Sequence, residues 1–168
     1  LGLSFVDTEF CIFFDEQEQL DKERTEATLR EQLGNLEHAV LPGYYGAMPD
    51  GQVHTFSRGG SDISGALVAS ALNADVYENW TDVDGILTAD PRIVPTATTI
   101  PAITYGELEE LAYQGATVLH EDAVRPVWDA QIPIHIRNTF HPENVGTWIR
   151  SDRTISDRPI TGIAGRKG

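Results

Sequence analysis

The sequence predicts an α/β fold with a largely parallel sheet, on two observations. Apolar or alternating runs of strand length alternate with segments of helical pattern along most of the chain. Residues 63–72 are apolar almost all round, as a helix buried against a sheet would be. A chain of 168 residues with a 40% hydrophobic fraction is long enough for a real core, burying ~70% of its unfolded surface as one domain or one domain plus a tail.

Taken in order, residues 5–14 are apolar and aromatic enough for a buried strand. Residues 21–33 are rich in Glu, Lys, Arg, Ala and Leu and stop at Gly34, which suits a surface helix with glycine just past its end. Ala39-Val40-Leu41 reads as a short buried strand opening into a loop at Pro42-Gly43. Pro49-Asp50-Gly51 reads as a tight turn before the alternating run 52–56, and the two strands read as a hairpin. Arg58-Gly59-Gly60-Ser61-Asp62 leads into the buried helix, and residues 75–80 follow as a strand ending in Thr81-Asp82-Val83-Asp84-Gly85.

Thr104 and Glu107 have capping-box spacing, with Leu108, Leu111 and Ala112 on one face and Gly115 past the end, so a helix starts there. Residues 120–131 read as another helix, with Pro126 either opening a second segment or kinking the first. Residues 133–137 alternate as a strand, and 138–142 form a loop. After Ile149 the composition turns to Ser, Asp, Arg and Gly, a linker expected to start a further element near residues 160–164.

Lys and Arg number 12 against 26 Asp and Glu, giving a formal net charge of −14. Phosphate repels such a chain unless its cations cluster, and they do not, which argues against nucleic-acid and anionic-membrane partners. No apolar stretch reaches transmembrane length and no basic leader precedes a small-residue cleavage site. Cys11 is the one cysteine and lies in an apolar run, which excludes an internal disulfide and favours a reducing compartment. The five histidines have neither H-E-x-x-H nor C-x-x-C spacing, so no zinc site is expected. Trp80, Trp128 and Trp148 read as packing residues. Only Lys22 and Lys167 are lysines.

The glycine pair at 59–60 sits where a strand meets a helix. Glycines allow close backbone approach, the first-turn N–H groups point outward and the helix dipole favours an anion. A phosphate or carboxylate site and a simple turn capped by Ser61 or Asp62 both suit this loop; Arg58, able to grip an anion bidentately, tips the balance toward the site. Gly60 and Gly65 have phosphate-loop spacing, but Ala66-Leu67 replaces Lys-[Ser/Thr]; no G-x-G-x-x-G occurs, and the loop lacks the second glycine of a nucleophile elbow. Asp82-Val83-Asp84-Gly85 after a strand resembles the D-x-D-G-T signature of haloacid-dehalogenase phosphatases. Ile86 replaces the threonine and no lysine follows before Lys167, so plain turn residues remain an alternative.

Six ordered blocks carry a more specific resemblance. Pro42-Gly43-Tyr44-Tyr45-Gly46, Phe56-Ser57-Arg58-Gly59-Gly60-Ser61-Asp62, Trp80-Thr81-Asp82-Val83-Asp84-Gly85, Asp90-Pro91-Arg92-Ile93-Val94, the stretch from Tyr105 to His120 and Arg137-Asn138-Thr139-Phe140 resemble aspartokinase in order and spacing, densely over residues 38–149. The resemblance implies an amino-acid-kinase fold, a three-layer αβα sandwich of carbamate-kinase type with a mainly parallel sheet, present in part. It implies transfer of the γ-phosphoryl of MgATP to the side-chain carboxylate of L-aspartate, with Mg²⁺ held mainly through the phosphates and no protein metal site. The protein would be cytoplasmic, with a homodimer common in the family.

By the same resemblance Arg58, Gly60, Ser61 and Asp62 would bind the substrate, with Asp62 also catalytic. Thr81, Asp82, Leu87, Arg92, Thr117 and Val118 would bind the nucleotide, Leu87 standing where tyrosine is frequent. Asp84 reads as a turn residue. Many members carry lysine in place of Thr117, and proline rather than Glu121 after the histidine. The family's opening K-F-G-G-[T/S]-S motif is absent, Leu1 opens the sequence and Met48 is its only methionine. Residues 1–150 are therefore expected to be the C-terminal, nucleotide-binding part of a catalytic domain, and 151–168 a linker toward an ACT regulatory region. The chain alone is expected to be inactive, and the alternative to a kinase is a non-catalytic nucleotide- or effector-binding module of the same fold.

Overall fold

The structure, a computed structural model, describes residues 2–113, 119, 121–152 and 160–165. In chain order the elements are β1 (Ser4–Phe5), α1 (Lys22–Leu33), β2 (Ala39–Val40), β3 (Tyr45–Ala47), β4 (Val53–Thr55), α2 (Gly60–Leu72), β5 (Tyr77–Thr81), β6 (Ala102–Thr104), α3 (Tyr105–Tyr113), α4 (Glu121–Asp129), β7 (Ile134–Asn138) and β8 (Thr147–Arg150). Three of the five strand pairings among the described residues are parallel: β1 with β2, β5 with β7, and β6 with β8. The antiparallel ones join β3 to β4 and β7 to β8. The chain divides into two compact units, residues Leu1–Ala74 with Leu119–Ala130, and Asp75–Val118 with Gln131–Gly168.

In the first unit, Asp21 caps α1 by accepting the Arg24 N–H at 3.1 Å, and Thr25, Leu29 and Leu33 form its buried stripe. That stripe packs on α2, which also packs on α4. The core gathers Cys11, Ile12, Phe14, Leu29, Leu33, Phe56, Ile63 and Leu67, with Phe14 and Phe56 edge to face at 5.0 Å. The apolar girth of α2 is thus met largely by helices, where the pattern alone suggested a sheet. Pro126 neither splits nor ends α4, which runs as one helix through it.

Residues 5–14 are not one buried strand: Asp7 accepts the Glu9 N–H and starts a 3₁₀ turn at Thr8–Phe10 that leaves Phe10 62% exposed. Gly34 is right-handed, at φ −60°, rather than a left-handed terminator. Val40 is 45% exposed, so β2 is not buried, and it pairs with β1. The hairpin partner of β4 is β3, reached through the Pro49-Asp50-Gly51 turn as expected, with Gly51 N–H donating to Met48 O at 2.9 Å.

The second unit is built on a four-stranded sheet of order β5-β7-β8-β6. β7 lies inside it, with Ile134 and Ile136 fully buried; β6 and β8, not anticipated from the sequence, complete it. Thr104 and Glu107 form the expected capping box: Glu107 Oε2 accepts the Thr104 N–H at 2.8 Å and Thr104 Oγ1 accepts the Glu107 N–H at 3.2 Å. Leu108 is buried as expected, but Ala112 is exposed, and Gly115 lies outside the described residues. The Tyr105 hydroxyl donates to Ile132 O, fixing α3 to the start of β7. Residues 160–165 form no helix or strand. Among the described residues no helix is long and apolar enough to cross a membrane.

Candidate functional site

In a parallel α/β sheet, loops leaving the carboxyl ends of strands are where ligands gather. Here β5 ends at Thr81, and the chain bends through residues 82–87 around a cavity of about 680 Å³ in the second unit. Thr81, Asp82, Leu87 and Arg92 all line it. These are four of the six residues expected at a nucleotide; the other two, Thr117 and Val118, lie outside the described residues. A hollow of this size, part apolar and part charged, is of the class that takes a small organic ligand.

Two ties shape the loop. Gly85 turns it with φ +110°, a conformation open to glycine, and packs so closely on Thr147 that a side chain there would collide with the threonine hydroxyl. Thr147, fully buried, accepts the Ile86 N–H at 2.9 Å and donates to Ile100 O at 2.6 Å. Next to it, Asp84 Oδ1 accepts amide hydrogens from Asn138 at 2.7 Å and Asn144 at 2.9 Å. The Asn144 and then the Asn138 hydrogen bond hold its carboxyl below the usual carboxylate value. Asp84 is therefore more than a turn residue. Its partners come from distant sequence, so the Asp-x-Asp-Gly spacing could not reveal them.

Along the rim, Arg92 is held by Asp90. Its Nη2 stands 2.6 Å from Asp90 Oδ2 and its Nε 3.0 Å from Oδ1, and this pairing lowers the Asp90 carboxyl and raises the guanidinium. Asp90 takes the Arg92 Nε and Nη2 edge and leaves Nη1. Thr81 Oγ1 donates to Asp82 Oδ1 at 3.3 Å.

The expected substrate residues lie in the first unit. Arg58 is exposed on the connection from β4 to α2, and Gly60, Ser61 and Asp62 form the first turn of that helix. Its N-cap is Gly59, without a side-chain capping bond, so neither Ser61 nor Asp62 caps the helix. Gly60 lies against Tyr44: a Cβ there would stand 2.6 Å from Tyr44 Cδ2 and 2.9 Å from its Cα. Tyr44 has φ +92°, rare for a non-glycine residue, and donates its N–H to Ser64 Oγ at 3.1 Å; that hydroxyl in turn donates to Gly60 O at 2.8 Å. The segments 42–46 and 56–62 thus build one local structure. Tyr44 stands in the first motif, where residue type alone does not reveal this contact.

Residues 3–138 match the model of the amino acid kinase family. The chain belongs to the amino acid kinase family. It is 43% identical over 140 residues to aspartokinase 3 of Bacillus subtilis, covering 83% of this chain and 30% of that protein. The crystal structure of Clostridium acetobutylicum aspartate kinase superposes with a TM-score of 0.89 at 50% identity, covering 96% of this chain and 38% of that one. Aspartokinase III of Escherichia coli, solved in complex with aspartate and ADP, superposes with a TM-score of 0.82 at 30% identity, over 90% of this chain and 35% of that one. The chain spans about a third of the length of the first curated relatives it matches. The fold is that of amino acid kinases, as the six blocks led one to expect, and membership of this family retires the haloacid-dehalogenase reading of Asp82 and Asp84.

Proposed function

We propose that the protein containing this chain is an aspartate kinase, transferring the γ-phosphoryl of ATP to the side-chain carboxylate of L-aspartate to give 4-phospho-L-aspartate, the first step toward lysine, threonine and methionine. Residues 1–150 would then be the nucleotide-binding part of its catalytic domain and 151–168 the linker beyond it. The observation that supports this reading is the cavity after β5: in a chain of this family, four of the residues expected at a nucleotide line one hollow of about 680 Å³. A cytoplasmic enzyme, assembled as a homodimer like other members, completes the reading.

The acceptor carboxylate, with a pKa of about 3.9, is already ionised at neutral pH, so the reaction needs no general base. The obstacle is the approach of two anions, and the protein's task is to orient and neutralise them. Arg58 holds a carboxylate of aspartate, while Gly60, packed against Tyr44, sets the start of α2 at which the substrate binds. Ser61 and Asp62 organise the substrate amine and the reacting groups, Asp62 being the catalytic candidate. Thr81, Asp82 and Leu87 line the nucleotide, and Arg92 presents Nη1 to it while Asp90 holds the opposite edge. Thr117 and Val118 complete the nucleotide site in this reading.

Mg²⁺ would neutralise the polyphosphate. The donor set at the cavity suits an ion carried mainly by phosphate oxygens: Asp84 is engaged by two amides and Asp90 by Arg92, which leaves Asp82 as the carboxylate best able to assist. The test is a coupled assay of the full-length protein for aspartate-dependent ADP formation, with hydroxylamine present to trap the acyl phosphate. Aspartyl hydroxamate formed in step with ADP is the expected result. ATP binding with no hydroxamate would leave a nucleotide-binding module of the same fold.

A further inference from the structure

After β8 the chain returns to the cavity. Ile163, Ala164 and Gly165 line it, and the segment is held at two points: Ile163 N–H donates to Thr88 O at 2.8 Å, and Thr161 Oγ1 donates to Glu107 Oε1 at 2.7 Å. Between these ties Gly162 faces Ile100 and Leu111. The Glu107 carboxylate is already immobilised, because its other oxygen accepts the Thr104 N–H at 2.8 Å and the Thr104 hydroxyl at 3.0 Å. One oxygen starts α3 and the other anchors the returning segment. A pre-fixed acceptor costs little side-chain entropy when Thr161 docks on it.

The anchored segment brings an open apolar side chain to the cavity. Ile163 is 69% exposed although it lies on the lining of a hollow that also presents Leu87 and Leu111. An isoleucine left open at such a place gains burial when a flat, largely apolar body such as a purine base covers it. We infer that Glu107, acting through Thr161, is a positioning residue for the nucleotide: it holds residues 160–165 as a wall of the cavity on which the base packs. This rests on the nucleotide reading above and extends it to residues to which no motif gave a part in nucleotide binding.

Thr161→Val tests it, because the substitution keeps shape, removes the hydroxyl and leaves the Thr104–Glu107 capping box untouched. In the full-length protein, loss of one such hydrogen bond should raise the Kd for MgADP, read by calorimetry, and the KM for ATP by about three- to tenfold. The KM for aspartate and kcat should stay within about twofold, and Thr161→Ser should restore the ATP values, since a fixed wall contributes to nucleotide binding rather than to chemistry. Unchanged MgADP binding in Thr161→Val, a parallel rise in the KM for aspartate, or failure of serine to rescue would each overturn the inference while the nucleotide reading stands. A wild-type protein that binds no MgADP would overturn both.

Discussion

Asn138, the last residue of β7, donates its side-chain amide to Asp84 Oδ1 across 2.7 Å, tying the end of one strand to the loop that leaves its parallel neighbour. Asn144 adds a second amide to the same oxygen at 2.9 Å. Asp84 thereby works as a fastener of the cavity loop. Asp84→Ala removes both bonds at once and loosens residues 82–85, Ile86 staying tied to Thr147, so the Kd for MgADP should rise about fivefold to tenfold, read by calorimetry. Asp84→Asn keeps an oxygen able to accept and should fall between wild type and alanine.

The same carboxylate sets a pH dependence. Its native pKa is lowered, by Asn144 first and Asn138 second, so the unfolded chain takes up this proton at a higher pH than the folded one does. The stabilisation is fully present above the ordinary carboxylate value of about 4 and is lost as the pH falls from there through the lower native value. Denaturant titrations of wild type and Asp84→Asn should therefore give a stability difference that is flat from about pH 5 to 8 and shrinks below about pH 4. A difference that changed most between pH 6 and 8 would point to another group.

What could be read from the sequence was local. The Thr104–Glu107 pair announced its helix because a cap is made within one turn, residues 21–33 announced theirs by composition while the Asp21 cap passed unread, and the Pro49-Asp50-Gly51 turn announced itself because its residue types demand it. β6 and β8 were hidden: three and four residues long, they become strands by pairing in the sheet, β6 with β8 through Ile103 and Ile149, and β8 also with β7. β3 was hidden by Gly46, a poor strand former inside the stretch that read as loop. The run 5–14 misled because a count of apolar residues does not register Asp7 capping a 3₁₀ turn. Four of the six positions expected at a nucleotide line one cavity, whereas Asp84, Thr147, Glu107 and Thr161 act through partners dozens of residues away, which spacing cannot show.

Thr147→Val should cost stability out of proportion to its size. The hydroxyl is fully buried and serves Ile86 N–H and Ile100 O together, so valine leaves a donor and an acceptor unpaired in the core of the second unit. A loss of about 2–4 kcal/mol is expected from chemical denaturation. Thr147→Ser, which keeps the hydroxyl and gives up one buried methyl, should cost about 1 kcal/mol.

Gly60→Ala probes the other unit. The new Cβ would stand 2.6 Å from Tyr44 Cδ2 and 2.9 Å from Tyr44 Cα, and the second of these is backbone that a rotamer change cannot move. Tyr44 must shift, straining a residue already at φ +92° and stretching its bond to Ser64. Overpacking of this kind costs about 1–3 kcal/mol. Because the segment that moves adjoins the proposed aspartate site, the KM for aspartate should rise while the Kd for MgADP does not.

Arg58→Gln isolates charge from packing. Arg58 is exposed, so its loss leaves the fold intact and thermal melting should be unchanged. If Arg58 grips an aspartate carboxylate with both prongs of its guanidinium, glutamine keeps one hydrogen bond and forfeits the charge, and lysine keeps the charge but not the fork. A charge-assisted pair contributes about 1.5–3 kcal/mol, so the KM for aspartate should rise about 10- to 100-fold in Arg58→Gln. Arg58→Lys should fall between glutamine and wild type. The KM for ATP separates this role from a general one: it should hold steady in both variants, since the residues proposed for the nucleotide are others. A parallel rise in both constants would instead assign Arg58 to the transferring phosphoryl group, where the two substrates meet.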